Sequence, residues 1–455
     1  MKIDGDEFFT DSLRNPYTAS ALNEKMLFQI SKNLDEIDAS TMKSSEEPYM
    51  CGPGQNKIFI KHYNDLVVNV TTIKSISTKL VFKALNNVVN KQAMLRSKIF
   101  EDNGKYYFQE YDIKKDFEIS VLDITKYGFI DKDKIVESAT NELFNYVAKM
   151  KKVGNFLYRL LLLKEDEKTF KLITVFSHLI ADAASSNIFT KACVSEVRNL
   201  EMKQEGENDT QEEKNVLKSY KDYLNELTNN SSQAKYFQYI NGEKYNEVKR
   251  WSGGFERRRN LNSQIIKVPI NKLKKSILNS SDDKEGLLLW LTSVLANILL
   301  EKEKITFRIT NNGRKLSECN FSSVIGDCHV HYPLIIDIQK DNALTCAEKL
   351  VSEYRYYYGE NKIYLENLCY GQEGEKNNLI QNLYDELDFV FNYIGEMSSQ
   401  ESEQYCKNVL LDTTVFKTFY VYCYTTKKDL VLNCRLPIER QKKIVERFTE
   451  TVLDK

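Results

Sequence analysis

The sequence predicts a mixed α/β protein with two lobes. Its 455 residues are too many for one small domain and suit two lobes of ordinary size. Strand-like and helix-like segments follow one another in both halves without the regular alternation of a doubly wound sheet. A polar stretch, Glu201–Asn215, has almost no apolar residues and cannot bury a core. We therefore expect an N-terminal lobe over residues 1–200, an inter-lobe linker over 201–215 and a C-terminal lobe over 216–455.

The elements follow from hydrophobic periodicity. In the first half, helices are predicted over 20–50, 78–92, 132–148 and 183–200, and strands over 57–71, 93–101, 105–111, 117–122, 157–164 and 170–176. Asp102-Asn103-Gly104 predicts a hairpin turn, because Asn and Gly tolerate positive φ. In the second half, helices are predicted over 216–240, 286–300 and 438–453, and strands over 263–268, 305–310, 332–338, 387–393, 418–425 and 429–435.

The composition excludes several function classes. A net charge of −1, from 64 basic and 65 acidic side chains, gives no reason to expect a nucleic acid as partner. The longest apolar run, Gly286–Leu300, falls short of the roughly 20 residues of a membrane-spanning helix, and no signal peptide is apparent. Nine scattered Cys without a Cys-x-x-Cys pair disfavour structural zinc and fit reduced thiols. We expect a cytoplasmic protein without membrane contact.

His178 is the most informative of four histidines, because it lies where an apolar strand ends and a helix begins. Asp182 follows four residues later. Three interpretations stay open for this pair: a buried His beside a helix-capping Asp, a metal pair that lacks a nearby third ligand, or a general base whose loop the Asp holds in place.

A second histidine pattern is weaker. Asp327, His329 and His331 alternate, so on a strand they would share one face. A metal site fits this pattern, but polar surface or tunnel lining is favoured, because short clusters arise easily by chance.

The segment from Ser177 to Ala183 resembles the His-His-x-x-x-Asp-Gly signature of the condensation domains of nonribosomal peptide synthesis, which share the chloramphenicol acetyltransferase-like fold. His178 and Asp182 match; Ser177 replaces the first His and Ala183 replaces the Gly. Further stretches resemble other motifs of the superfamily in the right order: Ser20–Leu27, Met94–Phe100, Tyr220–Tyr223, Gly313–Arg314 with Val324–Gly326 and Tyr332–Leu334, and Phe391–Gly395. The sequence is identified as a divergent, free-standing member of this superfamily.

The resemblance implies two lobes in a V shape, each a mixed sheet flanked by helices, with an active-site tunnel between them. It implies that His178 is the general base or positioning residue. Asp182 would support the site by pairing with Arg314 across the lobes, and Ser177 and Ala183 would shape the His178 loop. Three residues would lie near the substrate: Ser185, Asn392 and Tyr393. For Ser185, a plain helix-start hydroxyl is an equal alternative.

The implied function is formation of an amide or ester bond between carrier-bound acyl or aminoacyl thioesters and an amine or hydroxyl acceptor. Peptidyl or acyl carrier proteins would act in trans and supply the phosphopantetheine arm, so no metal or other cofactor is expected. An amino-acid epimerase is an alternative, although Asn312 stands before Gly313-Arg314 where epimerization domains usually carry Glu. Acyl transfer from free coenzyme A, or a catalytically silent carrier-binding scaffold, also stays open.

Overall fold

The computed structural model describes residues 42–44, 46–61, 66–113, 119–204, 218–229, 233–252, 261–278, 283–316, 319–370, 378–396 and 419–454. The chain divides into two compact units. The N-terminal unit comprises Met1–Leu224 and Phe321–Cys328, and the C-terminal unit comprises Asn225–Asn320 and His329–Lys455. Most of the predicted linker lies outside the described residues, so the division at 201–215 stays a prediction.

Strands and helices alternate irregularly in the N-terminal unit. Its described strands are β1 (Met42–Ser44), β2 (Tyr49–Met50), β3 (Leu66–Lys74), β4 (Ser97–Asp102), β5 (Lys105–Ile113), β6 (Ser120–Asp123), β7 (Tyr158–Lys164) and β8 (Thr169–Ser177). Its described helices are α1 (Pro53–Lys61), α2 (Thr78–Lys91), α3 (Phe129–Lys149), α4 (Ala183–Gln204) and the start of α5 (Tyr220–Asn229).

The sheet that positions His178 has the order β3-β8-β7-β6. β6 and β7 are parallel, and the other neighbours are antiparallel. The apolar face of α3 buries side chains such as Leu143 against Leu161 and Ile173 of this sheet, and α4 packs on β3. β8 is therefore an internal strand with a packed core beneath it, and its last residue, Ser177, directly precedes His178.

The second sheet of this unit is organised around β5, which pairs with β1, β2 and β4. The β4–β5 hairpin confirms the predicted turn, with Asn103 at φ 52° and Gly104 at φ 74°. Both residues tolerate the left-handed region that such a turn requires.

The C-terminal unit is built on a mixed sheet of order β13-β10-β14-β15-β16-β9. β14 is parallel to β10 and β15, and the other neighbours are antiparallel. The described strands are β9 (Leu261–Pro269), β10 (Lys304–Asn311), β11 (Lys315–Leu316), β12 (Cys319–Asn320), β13 (Val330–Asp337), β14 (Phe389–Glu396), β15 (Phe419–Thr425) and β16 (Asp429–Pro437). The described helices are α6 (Gln233–Ile240), α7 (Glu243–Trp251), α8 (Lys275–Leu278), α9 (Lys284–Leu300), α10 (Ala343–Tyr354), α11 (Leu365–Tyr370), α12 (Asn378–Glu386) and α13 (Gln441–Val452).

The fold class predicted from the sequence is confirmed: mixed sheets are flanked by helices in both units. The predicted buried helix is α9, which is apolar around its whole circumference and buried along most of its length. Among the described residues, no helix combines the length and the apolar character needed to cross a membrane. The V shape of the lobes and the tunnel stay predictions.

Three predicted elements need correction. The strand expected over 57–71 is wrong over its first part, because α1 runs from Pro53 to Lys61 and β3 begins at Leu66. A proline at the first helical position is a start signal that outweighs a short apolar run. The helix expected over 20–50 is wrong at its end, where β1 and β2 lie; its earlier part, with the Ser20–Leu27 motif, lies outside the described residues. The strand expected from residue 93 begins only at Ser97, after a 3₁₀ turn.

Candidate active site

His178 lies in the short loop that joins β8 to α4. The loop is a tight turn in which the Ser177 carbonyl accepts hydrogen bonds from the amides of Ile180 and Ala181, at 3.0 and 3.2 Å. The Ser177 hydroxyl accepts a further bond of 3.3 Å from the Leu179 amide. Since β8 is internal to its sheet, this turn holds His178 on a rigid support.

Asp182 caps the N-terminus of α4 and is buried. Its Oδ1 accepts bonds of 2.7 and 2.8 Å from the amide and the hydroxyl of Ser185, as a helix N-cap does. Its Oδ2 accepts a bond of 3.1 Å from the Cys328 amide. The carboxylate therefore joins the start of α4 to the segment Phe321–Cys328. We call this segment the inserted segment, because the residues before and after it in sequence belong to the C-terminal unit.

Ser185 forms a second link between α4 and the inserted segment. Its hydroxyl lies 2.8 Å from both Asp182 Oδ1 and the Gly326 carbonyl, and it accepts a bond of 3.0 Å from the Gly326 amide. Ser185 therefore has the helix-start role, and its proximity to a substrate stays a prediction.

Two tyrosines of α5 hold the inserted segment from another side. The Tyr220 hydroxyl donates to the Asp327 carbonyl at 3.0 Å, and the Tyr223 hydroxyl donates to the Cys328 carbonyl at 2.8 Å. Gly326 packs so closely on the Tyr220 ring that a Cβ would lie 2.0 Å from its Cδ2 atom. Burial, and then the charge of Asp327, raise the pKa of Tyr220 well above its usual value, so this hydroxyl stays a donor.

The Asp327 carboxylate faces the imidazole of His178. Nδ1 of His178 lies 3.3 Å from Oδ1 of Asp327, and the side chains are 18% and 1% exposed, respectively. A carboxylate oxygen only accepts hydrogen bonds, so Nδ1 of His178 is the ring nitrogen that can donate to Asp327.

The N-terminus of α1 completes the surroundings of Asp327. A Cβ on Gly54 would lie 2.3 Å from Oδ2 of Asp327, so the carboxylate occupies space that any other residue would fill. The neighbouring Gln55 is buried, and its Nε2 donates to the Leu179 carbonyl at 3.0 Å and to the Tyr220 hydroxyl at 2.8 Å. Gln55 thereby connects the His178 loop to the tyrosine that holds Asp327.

Arg314 lies in the C-terminal unit, just after β10, and is buried. Gly313 adopts φ 61°, and both the amide and the guanidinium of Arg314 donate to Asn312, each at 3.2 Å. The pairing of Arg314 with Asp182 stays a prediction.

Asn392 and Tyr393 are consecutive residues of β14, so their side chains leave opposite faces of the sheet. Tyr393 lies on the side of the sheet that faces α9. Burial is the largest cause of its raised pKa; its hydroxyl also bonds to Thr425 and lies near the charge of Glu285. Asn392 is opposite Tyr422 on the other face. The expectation that Asn392 and Tyr393 lie near the substrate stays a prediction.

The predicted alternation of Asp327, His329 and His331 on one strand is also wrong, because β13 begins at Val330 and Asp327 precedes it. The His329 and His331 rings do lie side by side, with centroids 4.8 Å apart. His331 is buried, and its carbonyl accepts bonds from the hydroxyls of Tyr358 and Tyr384. His62 lies outside the described residues.

Comparison with known proteins agrees with this geometry. Residues 55–243 match the family described as Condensation domain. Solved structures with the same fold include the starter condensation domain of rhizomide synthetase RzmA, at a TM-score of 0.61 and 14% identity, covering 89% of this chain and 96% of that one. Residues 55–243 are thus similar to condensation domains in sequence, and the chain shares their fold.

Two further solved structures have a similar fold. The epimerization domain from the third module of tyrocidine synthetase B has a TM-score of 0.57 and 13% identity, covering 90% of this chain and 95% of that one. The EpoB cyclization-docking bidomain from Sorangium cellulosum has a TM-score of 0.57 and 15% identity, covering 94% and 92%. No curated protein sequence is a significant match. Condensation domains are in general acyltransferase-type enzymes, and the family match supports a condensation-type function.

The two departures from the condensation-domain signature have local explanations. Ser177 forms the turn around His178 through its hydroxyl, so the first His of the signature is not needed for that purpose. Ala183 is the first residue of α4, and the non-glycine residues with positive φ in the described part of the chain do not include it. A methyl group at this position is therefore free of backbone strain.

Sequence reasoning grouped Asp327 with His329 and His331 but missed its contact with His178, and it missed Gln55 altogether. Asp327 directly follows the Val324–Gly326 motif, and an ionisable residue beside a glycine of a recognised motif was the one available signal. Gln55 has no such signal, because its partners are 124 and 165 residues away in sequence.

Proposed function

We propose that this protein forms an amide or ester bond between an acyl or aminoacyl thioester and an amine or hydroxyl acceptor in nonribosomal peptide biosynthesis. The observation that carries the proposal is the His178 loop: a histidine at the end of an internal strand, with Nδ1 3.3 Å from the buried carboxylate of Asp327. The thioesters are carried by peptidyl or acyl carrier proteins acting in trans, whose phosphopantetheine arms are part of the substrates.

In the proposed reaction, His178 Nε2 takes the proton of the attacking amine or hydroxyl as the new bond to the thioester carbon forms. The carbon–sulfur bond of the tetrahedral intermediate then breaks, and the proton returns from Nε2 to the departing thiolate. Asp182, Ser177 and Ser185 hold the loop and do not exchange protons with the substrate. Arg314 is proposed to pair with Asp182, and Asn392 to lie near the thioester.

An amino-acid epimerase is the second candidate, since an epimerization domain shares the fold. It is ranked lower because removal and return of an α-proton on opposite faces needs two groups, and Asn312 replaces the carboxylate usual before Gly-Arg.

The test is a mass-spectrometric transfer assay with aminoacyl- and acyl-loaded carrier proteins and with the corresponding coenzyme A thioesters. The wild type, His178→Ala and the surface control Asp123→Asn are compared; Asp123 only caps the turn at Thr125. We expect a new amide or ester from the wild type and Asp123→Asn, and a rate lower by about 10²–10⁴-fold for His178→Ala.

Two results would replace this proposal. Deuterium wash-in at the α-carbon without a new bond identifies an epimerase. Absence of any product and of wash-in, over several loaded carriers and coenzyme A thioesters, leaves the silent carrier-binding scaffold.

A further inference from the structure

We propose that Asp327 is a positioning residue that holds the imidazole of His178 in the tautomer with its proton on Nδ1. The catalytic consequence of this assignment rests on the proposed function, whereas the tautomer itself is a property of the folded protein. The signature carboxylate, Asp182, has other partners: its Oδ1 accepts from Ser185 and its Oδ2 accepts from Cys328.

Burial of Asp327 makes the contact with His178 effective. The Asp327 side chain is 1% exposed and Nδ1 of His178 lies 3.3 Å from its Oδ1, so little water screens the interaction. If Nδ1 carried a lone pair instead, two acceptors would face each other in a buried site, which is unfavourable. The contact therefore selects the Nδ1–H form, and Nε2 is left to accept a proton.

The main chain around Asp327 is fixed on both sides of the residue. The Gly326 amide donates to the Ser185 hydroxyl, whose oxygen also lies 2.8 Å from the Gly326 carbonyl, and the Asp327 carbonyl accepts from Tyr220. Cys328 is bonded through its amide to Asp182 and through its carbonyl to Tyr223. Such a support leaves the carboxylate little freedom to turn away from His178.

Gly54 provides the space for this carboxylate. The Cβ of any other residue at this position would lie 2.3 Å from Oδ2 of Asp327, closer than non-bonded atoms approach. A substitution at Gly54 therefore displaces the Asp327 carboxylate without removing its charge. It separates the effect of the position of the carboxylate from the effect of its charge.

The experiment measures the tautomer directly. Protein labelled with ¹⁵N in its histidine rings is studied by long-range ¹H–¹⁵N correlation at a pH where the imidazoles are neutral. With four histidines in the chain, the His178 signals are assigned by their loss in His178→Gln. The variants are Asp327→Asn and Gly54→Ala, with Asp123→Asn as the control, and thermal melting establishes that each is folded.

We expect His178 to be mainly Nδ1–H in the wild type and in Asp123→Asn, and mainly Nε2–H in Asp327→Asn. Gly54→Ala should shift the populations in the same direction. In the transfer assay, kcat of Asp327→Asn should fall about tenfold or more, within the roughly 10²–10⁴-fold contribution of a general base, with little change in KM.

An unchanged tautomer in folded Asp327→Asn and Gly54→Ala overturns the inference, and so does an effect of Asp327→Asn on KM alone. If Asp327→Asn does not fold, Gly54→Ala decides. The tautomer is read without substrate, so the positioning role stands or falls independently of whether the transfer assay supports the proposed function.

Discussion

Tyr220 illustrates how single side chains hold this site together. Its buried hydroxyl meets the side chain of Gln55 and the carbonyl of Asp327. The bonds connect α1, α5 and the inserted segment at one atom. Removing that atom takes a partner from buried polar groups of α1 and of the inserted segment, which costs more than the loss of an exposed hydrogen bond.

We therefore predict that Tyr220→Phe lowers the free energy of unfolding by about 1–3 kcal/mol. Urea denaturation followed by circular dichroism measures it. Tyr107→Phe is the matched control, because Tyr107 is a half-buried strand residue of the same unit whose ring stacks on Phe100. Equal stability of the two variants would contradict the role assigned to the Tyr220 hydroxyl.

Glu285, in the first turn of α9, carries a second residue-scale prediction. Burial, and then the charge of Asp283, raise its pKa to about 7. Because this value exceeds that of the unfolded chain, the native state binds the proton more tightly. The residue therefore costs no stability below about pH 4, and an increasing amount as the pH rises towards 7.

Glu285→Gln removes this titration. We expect the variant to match the wild type at about pH 4.5 and to be more stable by about 1–3 kcal/mol at about pH 8. Urea denaturation at several pH values between these limits measures the difference. A stability difference that stays constant across the range would show that Glu285 does not titrate as stated.

At the scale of elements, the contact of α9 with α10 is closer than two ordinary helices allow. A Cβ on Gly286 would lie 2.5 Å from the Cβ of Ala347 and 2.8 Å from the Ala343 carbonyl. Glycine within a helix costs about 1 kcal/mol relative to alanine. Here that cost is offset, because the absence of a side chain at Gly286 allows the two helices to pack closely.

We predict that Gly286→Ala destabilises the protein by about 1–3 kcal/mol, although alanine favours the helix itself. The double variant Gly286→Ala with Ala347→Gly should recover part of the loss, because the second change removes the opposing methyl. Thermal melting of the single and double variants tests this. Additive losses, with no recovery, would place the cost of Gly286→Ala elsewhere.

At the scale of the whole molecule, the inserted segment is the feature that depends most on long-range structure. It is flanked in sequence by C-terminal-unit residues, yet it belongs to the N-terminal unit, where it brings Asp327 to His178. The N-terminal candidate site is therefore incomplete until about a hundred further residues have been synthesised, and its formation requires loop closure over that length.

We predict that Gly326→Ala releases this segment. Its Cβ would overlap the Tyr220 ring at 2.0 Å, so the bonds of Gly326 and Cys328 to α4 should weaken. Hydrogen exchange followed by mass spectrometry should show faster exchange in peptides covering 321–328. Gly104→Asn serves as the control, because Gly104 is in open space and Asn tolerates its φ of 74°. Unchanged protection of the segment in folded Gly326→Ala would contradict this packing.

The sequence by itself determined the mixed α/β class, most strands and helices, and the place of His178 at the end of β8. Those features depend on local periodicity and on turn residues, as in the Asn103-Gly104 hairpin. The order of the sequence's motifs also resembles that of condensation domains. Local sequence patterns were insufficient where two of them conflicted. At Pro53, a helix-start signal is followed by an apolar run that resembles a strand, and the segment forms a helix.

Only the tertiary structure decided which side chains meet. Asp327 contacts His178, Gln55 contacts Leu179, and Asn392 and Tyr393 separate to opposite faces of β14. No periodicity or motif in the sequence predicts these placements. Each of them joins segments that are far apart in sequence or depends on where a strand lies in its sheet. Packing decides them: a carboxylate reaches His178 because Gly54 and Gly326 lack side chains where Asp327 and Tyr220 must fit.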